Sequence, residues 1–416
     1  MLRSLRHPGF RWLWLSNLAG SAGRWALVLI LGVQLYALTH SSFWVGAGLF
    51  LTQGPVILLA PLSGSLADRL DRRLLNVASS LLSALVTAAF ALLNLLGALS
   101  LPAALILCVA FGVSFVVQMT LRSTLVPSLV PPEDLLNGIS LSQVGTQGAE
   151  FLGPALTTPL LVAGGPALAW AFCSALYLAS SALCLPIGEV RAAPGGESGA
   201  ALSRSFLYLL ARPVLMTMVV GVALHCSLTM SYQGMLPMFV SRDLNAGAAT
   251  YGALLTSIGL GAVAGSLGLA QFSAPRYRPA LFLASTVTSG FALTALALAP
   301  SGAASLIAGF MVGASQAMFM SMSLALIQSS VDDHFRGRAT SVYQMITLAP
   351  MAIIGWGMGG LADVVEPRPV MVVSGILFPV AMAAYMWASP WLRLLLHAEG
   401  WRGGTTPARA EVRSPA

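Results

Sequence analysis

Residues 64–73 read Gly-Ser-Leu-Ala-Asp-Arg-Leu-Asp-Arg-Arg, and this stretch lies between two long apolar runs. Five of its ten residues are charged, although charged residues make up only 8% of the chain. An unpaired charge at the centre of a bilayer costs about 2.5–3.5 kcal/mol on insertion scales. The stretch therefore predicts a short loop at a membrane surface, and the apolar runs on either side of it indicate membrane-crossing helices.

Composition extends this prediction to the whole chain of 416 residues, of which 57% are hydrophobic. Apolar runs of about 20 residues recur from end to end, and each is long enough to cross a hydrocarbon core of ~30 Å. Because the runs are continuous rather than alternating, they disfavour a β-barrel. We predict an all-α polytopic membrane protein whose first helix is not a cleaved signal peptide.

The apolar runs divide into two groups of six. A linker over residues 188–212 contains Ala-Ala-Pro-Gly-Gly, which is typical of a flexible connection. We predict two pseudo-symmetric six-helix bundles, residues 1–187 and 213–395, followed by a disordered cytoplasmic tail, residues 396–416. Internal six-helix repeats are typical of transporters, whose substrate sites lie where the repeats meet. The twelve predicted spans are 11–38, 43–62, 74–97, 102–121, 137–163, 167–187, 213–240, 248–270, 278–299, 302–328, 339–363 and 369–392.

Arginine predicts the orientation, since all 21 basic residues are arginine. With a cytoplasmic N-terminus, eighteen arginines fall in inside segments, Arg242 and Arg368 fall outside, and Arg24 lies within a span. This bias follows the positive-inside rule and predicts that both termini are cytoplasmic. Because the arginines are scattered among short loops, we expect no nucleic-acid partner.

Glycine pairs four residues apart allow two helices to approach closely. Such pairs occur at Gly261 and Gly265 and at Gly355 and Gly359. We predict helix packing as their role.

The charged loop resembles a known family signature. The pattern Gly64-x-Leu66-Ala67-Asp68-Arg69-x-x-Arg72-Arg73, between the second and third spans, resembles the signature loop of the major facilitator superfamily, with Asp71 where the family has glycine. Further stretches resemble its drug and siderophore exporter branch, and the resemblance covers about residues 5–395. These stretches are residues 7–11, 38–42, 125–127 and 336–338.

The resemblance implies a gating role for the loop. Gly64 would let the second span approach its neighbour closely, and Asp68 would face the start of span 11, whose N-terminal amides favour an anion. The loop arginines Arg69, Arg72 and Arg73 would pair with acids on the same face. Those acids are Asp332, Asp333, Glu133 and Asp134. Asp71 either alters the turn or adds a second gate contact.

Three ionisable residues lie near the centres of predicted spans: Arg24, Glu150 and His225. Such residues are expensive in a bilayer and are by default functional candidates. Helical spacing places Gln147 on one face with Glu150 and Tyr232 on one face with His225. Gln53 lies in the middle of the second span. The resemblance aims these residues at one central cavity, where they would bind substrate or couple to protons.

Two alternatives stay open at these positions. Arg24 and Glu150 could form a static ion pair that holds spans 1 and 5 together, rather than bind substrate or protons. His225 could be a hydrogen-bonded structural histidine, rather than a second protonation site.

The resemblance and the polar positions together predict a secondary transporter of the bacterial inner membrane. We expect a monomer that exports a small amphiphilic molecule, a drug or a siderophore, by alternating access and proton antiport. The alternatives are a proton-coupled nutrient uptake permease and a non-transporting membrane sensor or structural protein. We expect no enzymatic activity, cofactor or metal, since the chain has no phosphate-cradling Gly-Lys-Ser/Thr loop and its cysteines lack metal-ligand spacing.

Overall fold

The computed structural model describes residues 3–131, 133–190, 213–271, 278–329 and 336–390. Every regular element within these ranges is helical. Most of the predicted linker, residues 191–212, and the whole predicted tail, residues 396–416, lie outside the described residues.

The first half of the chain forms six helices after a short 3-10 turn at Arg3–Arg6. Proline begins several of them, because its missing N–H is not needed in the first helical turn. The helices are α1 (Pro8–Thr39), α2 (Ser42–Gln53), α3 (Pro55–Arg69), α4 (Arg72–Leu95), α5 (Leu101–Leu129) and α6 (Leu135–Cys184).

Among its described residues, the second half forms six longer helices. A segment of short π, 3-10 and α-helical turns, Cys226–Asp243, follows the first of them. The helices are α7 (Pro213–His225), α8 (Ala248–Gln271), α9 (Arg278–Ala297), α10 (Gly302–Ser329), α11 (Arg336–Val365) and α12 (Pro367–Ala388).

Ten helices of the described chain are long and apolar enough to cross a membrane. Two features account for the difference between these ten helices and the twelve predicted spans. First, α6 joins predicted spans 5 and 6 into one 50-residue element that turns at Gly165, whose φ of 72° suits glycine. Second, predicted span 7 is not one continuous helix, because it ends as an α-helix at His225 and continues in shorter turns.

We describe the packing in two groups of helices, α1–α6 and α7–α12, which we call the first and the second bundle. In the first, α1 and α4 pack on α6, and α5 packs on α4. In the second, α10 packs between α8 and α9, and α9 packs on α12. The bundles meet where α2 packs on α11 and where α6 packs on α8.

The predicted packing role of Gly261 and Gly265 is confirmed. A Cβ added to either residue would collide with the backbone of α10 at Phe310 or Ala314. The same holds across this contact for Gly313, where a Cβ would collide with the carbonyl oxygen of Ile258. Only glycine permits this helix separation.

Candidate functional site

Arg24 joins three helices of the first bundle. Its Nη2 donates a hydrogen bond to Oε1 of Gln53 at the end of α2, over 3.0 Å. Its guanidinium carbon also lies 4.6 Å from the ring centroid of Phe115 on α5, which is a cation–π contact. Two predicted site residues, Arg24 and Gln53, therefore do lie together.

Glu150 lies on α6 where the two bundles touch. A Cβ added to Gly259 of α8 would lie 2.7 Å from the Glu150 carbonyl oxygen, so the two backbones are in close contact. The carboxylate interacts electrostatically with Arg24 and with Tyr232. Among the described residues, however, no ion pair within 4 Å joins Arg24 to Glu150. The static pair considered from the sequence is therefore not formed in this conformation.

Gln147 and Tyr232 extend this junction. The Gln147 side-chain nitrogen donates to the Ser266 hydroxyl of α8 over 3.4 Å, so it bridges the two bundles. Tyr232 is 2% exposed and lies in the 3-10 turn Ser231–Gly234.

His225 lies apart from these residues, in the core of the second bundle. It is fully buried, its Nε2 lies 3.0 Å from the Ser289 hydroxyl, and its ring stacks on Phe319 with centroids 4.1 Å apart. These are the contacts of a structural histidine, but its Nδ1 is buried without a hydrogen-bond partner among the described residues, so both interpretations of His225 stay predictions. The π-helical turn at Cys226–Met230 changes the helical register after His225, so spacing alone misplaces His225 relative to Tyr232.

A small cleft lies between α2, the broken segment after α7, and α11. Gln53, Met230, Gln233, Met351 and Trp356 are among its lining residues. The Trp356 indole nitrogen is buried without a hydrogen-bond partner among the described residues. Sequence reasoning missed Trp356, although a tryptophan beside the predicted packing glycine Gly355 was an available signal.

A second feature missed from the sequence is Asp363, near the end of α11. Its Oδ1 accepts a hydrogen bond from the Ser42 backbone over 2.6 Å, and its Oδ2 accepts one from the Phe43 backbone over 3.1 Å. The Ser41 hydroxyl also donates to Oδ2. Asp363 of the second bundle therefore caps the N-terminus of α2 in the first bundle, where Ser41 provides no side-chain cap of its own.

Small residues bring the backbones together around this cap, and we call this region the Asp363 end. A Cβ on Gly359 would lie 2.5 Å from the Ser42 carbonyl oxygen, and one on Gly46 would lie 3.0 Å from Trp356 Cα. A Cβ on Gly355 would lie 3.2 Å from the Ser231 carbonyl oxygen. The predicted packing role of Gly355 and Gly359 is thus confirmed, and the two bundles are in tight contact at the Asp363 end.

The predicted loop of residues 64–73 lies at the opposite end, and it is shorter than predicted, because α3 extends to Arg69 and α4 begins at Arg72. Asp71 caps α4 by accepting from the Arg73 backbone over 2.9 Å, and the same oxygen accepts from the Val190 backbone over 3.1 Å. The Arg72 backbone nitrogen donates to the Val190 carbonyl over 3.0 Å. Asp71 therefore fastens the turn between α3 and α4 to the chain after α6, which is a contact within the first bundle. We call this region the Asp71 end.

The other gating predictions meet the structure only in part. A Cβ on Gly64 would meet no described atom within 4 Å, so its predicted close approach is not found there. Arg69 is exposed, Arg72 Nε donates to the Ala67 carbonyl over 3.1 Å, and Arg73 Nε is buried without a described partner. The Asp68 side chain and the predicted acids Asp332 and Asp333 lie outside the described residues.

A predicted acidic partner of the loop has another contact. Asp134 pairs with His7 through Oδ2 and Nε2, 3.1 Å apart. Ser4 adds a hydrogen bond to the Asn137 side chain over 2.9 Å. The N-terminal turn is thereby held against the start of α6.

Comparison with known proteins matches this chain to one family along nearly its whole length. The family model described as "transmembrane secretion effector" matches residues 1–392. Among curated relatives, the enterobactin exporter EntS of Salmonella typhimurium is 28% identical over 389 residues, and that of Salmonella choleraesuis is 27% identical over 382 residues. Each alignment covers 89% of this chain and 89% of the relative.

Solved structures show the same fold at lower identity. A bacterial homologue of the human lysosomal transporter Spinster, in an inward-facing and unoccupied conformation, aligns with a TM-score of 0.70 and 16% identity. It covers 92% of this chain and 97% of that one. A POT family transporter aligns with a TM-score of 0.73 and 11% identity, covering 92% of this chain and 96% of that one.

Proposed function

Because the chain belongs to the transmembrane secretion effector family of the major facilitator superfamily, we propose that it exports a small amphiphilic molecule by alternating access, driven by proton antiport. The protein is a multi-pass membrane exporter of the bacterial inner membrane. The observation that carries the mechanism is the unpaired Glu150 carboxylate at the junction of the bundles, close to Arg24 and its partner Gln53. The relatives' name, enterobactin exporter, favours a siderophore over a drug as substrate.

The proposal includes twelve crossings with both termini in the cytoplasm. The turn at Gly165 splits α6 into two crossings, and Pro213–Asp243 supplies another from helical pieces that are each too short to span. Broken helices of this kind are tolerated where protein surrounds them. The arginine bias supports an orientation with the Asp71 end in the cytoplasm and the Asp363 end outside.

In this orientation the structure corresponds to a conformation that is closed on the outer side. Substrate enters from the cytoplasm and reaches the cleft near Gln53, the bundles rock, and the Asp363 end separates to release it. Glu150 takes up a proton from outside and returns it to the cytoplasm. Arg24 and Glu150 interact electrostatically, so each proton transfer changes the balance of charge at the junction of the bundles. One chain suffices, since both halves of the site lie in it.

Reconstitution tests this proposal. Purified protein in liposomes should move enterobactin when a pH gradient is imposed, and the substitution Glu150→Gln should abolish gradient-driven movement. Glu366→Gln, which removes an exposed carboxylate at the Asp363 end, is the matched control and should transport normally. Normal coupling in Glu150→Gln would contradict the proton role, and movement of enterobactin in the same direction as protons would favour the uptake permease.

A further inference from the structure

A second arginine approaches the same side of α1 as Arg24. Arg122 projects from α5, and its Nη2 lies 3.8 Å from the position that a Cβ would take on Gly20. The same position is 3.1 Å from the Ser180 hydroxyl, so the guanidinium lies inside the first bundle between α1 and α6. Gly20 precedes Arg24 by four residues and therefore lies on the same helix face, about 6 Å along the axis. The Arg122 guanidinium thus lies beside α1, about one helical turn from the backbone position that carries Arg24.

The charges around these arginines do not balance. Among the described residues, neither Arg24 nor Arg122 forms an ion pair within 4 Å of a carboxylate. The described carboxylate that interacts with Arg24 is that of Glu150, and the two arginines repel each other. Counting the described residues alone, and with Glu150 ionised, the two arginines outnumber the carboxylate that interacts with them.

Alternating access would make the cost of this unpaired positive charge differ between the open and the closed conformation. While the Asp71 end is open, water can hydrate both guanidinium groups. When that end closes, the water is displaced, and a buried cation without an opposite charge is strongly destabilising. A ligand with an anionic group would remove this penalty and so favour closure around itself.

Two aromatic side chains lie against the guanidinium group of Arg24. The Arg24 guanidinium carbon lies 4.6 Å from the Phe115 ring centroid and 5.8 Å from that of Trp25. Phe115 is 7% exposed and Trp25 is half-buried, so the two rings form an apolar wall next to the positive charge. A ligand that matches both features has an acidic group attached to an apolar or aromatic body.

We propose that Arg24 and Arg122 together bind the acidic group of an anionic amphiphile, with Phe115 and Trp25 contacting its apolar body. This inference rests on the proposed export function and specifies its substrate class. It also gives Arg122 a role that its position near the end of a predicted span does not suggest.

The test uses two fluorescent probes with one ring system. 1-Anilinonaphthalene-8-sulfonate is anionic, and N-phenyl-1-naphthylamine is the same framework without the sulfonate. Binding of each is measured on the full-length protein in lipid nanodiscs, with empty nanodiscs subtracted. We expect saturable binding of the sulfonate, which Arg122→Gln weakens about tenfold or more, since a charge-assisted hydrogen bond contributes about 1.5–3 kcal/mol. Binding of the uncharged probe should stay unchanged.

Two further variants make the test specific. Arg122→Lys keeps the charge and should retain part of the sulfonate affinity, so its behaviour separates charge recognition from loss of folding. Arg11→Gln removes an exposed arginine from the same helix α1 and should bind both probes as the wild type does.

Three outcomes would overturn the inference: no saturable sulfonate binding, equal affinity for the two probes, or equal loss of both in Arg122→Gln. If liposomes still export enterobactin in any of these cases, only the substrate class fails. Selective sulfonate binding without any export would instead contradict the proposed function.

Discussion

The cap that Asp363 provides to α2 predicts a measurable shift between conformations. Asp363→Ala removes the acceptors of two backbone N–H groups and one hydroxyl, all belonging to the first bundle. Losing a helix N-cap costs about 0.5–2 kcal/mol. Because Asp363 is exposed to solvent, we expect a loss of about 1 kcal/mol, which is about a fivefold change in an equilibrium. The closed state of the Asp363 end should become less populated by that factor.

The assay is a distance measurement between spin labels on the two bundles. Leu38 and Val364 are 44% and 84% exposed at the Asp363 end, so labels at these sites should leave the packing intact. The wild type should give mainly the short distance, and Asp363→Ala should move population to a longer one. Asp363→Asn keeps one accepting oxygen and replaces the other with an NH2 group that cannot accept, so its distance distribution should lie between those of the wild type and Asp363→Ala. Identical distance distributions in the wild type and Asp363→Ala would refute the role of the cap.

Three other substitutions test separate parts of the account. Glu150→Gln should abolish proton-driven transport while leaving ligand binding measurable, because it removes the charge but keeps the side-chain shape. His225→Ala should lower the free energy of unfolding by about 3–5 kcal/mol, because it leaves a cavity against Phe319. This is the usual cost of replacing a buried aromatic side chain with alanine. Gly313→Ala should destabilise the second bundle by about 1–3 kcal/mol, because its Cβ would collide with the Ile258 carbonyl.

These substitutions have internal controls. Gly357→Ala adds a Cβ that no described atom approaches within 4 Å, so it should leave the melting temperature unchanged. If His225→Ala instead melts like the wild type but fails to transport, His225 belongs to the transport pathway rather than to the core.

Hydrophobic run length predicted most of the fold, because a bilayer demands about 20 apolar residues for each crossing whatever the neighbouring helices are. The same reasoning predicted a loop over residues 64–73, but the structure shortens it to Leu70 and Asp71, because α3 continues to Arg69 and α4 begins at Arg72. Run length could not predict the broken segment after His225. Hydropathy does not record this break, because protein around the segment can satisfy its irregular backbone. Run length also did not predict the break in the helix between Gln53 and Pro55, where predicted span 2 divides into α2 and α3.

The candidate site was predicted in part. Depth in the bilayer and helical spacing identified Arg24, Gln53 and Glu150, because a polar group inside a membrane needs a partner or water. They did not identify Asp363, since its partners are backbone N–H groups of a helix 321 residues away in sequence. They also misplaced His225, because helical spacing assumes a regular helix and the π turn changes the register.

The direction of transport is the most direct test of the central claim. Inner-membrane vesicles of both orientations are prepared from cells that express the protein and lack another enterobactin exporter, and enterobactin accumulation is measured with and without a pH gradient. We predict accumulation in everted vesicles with an acidic interior, and its loss when the gradient is collapsed. Accumulation in right-side-out vesicles alone, or in neither preparation, would contradict proton-driven export.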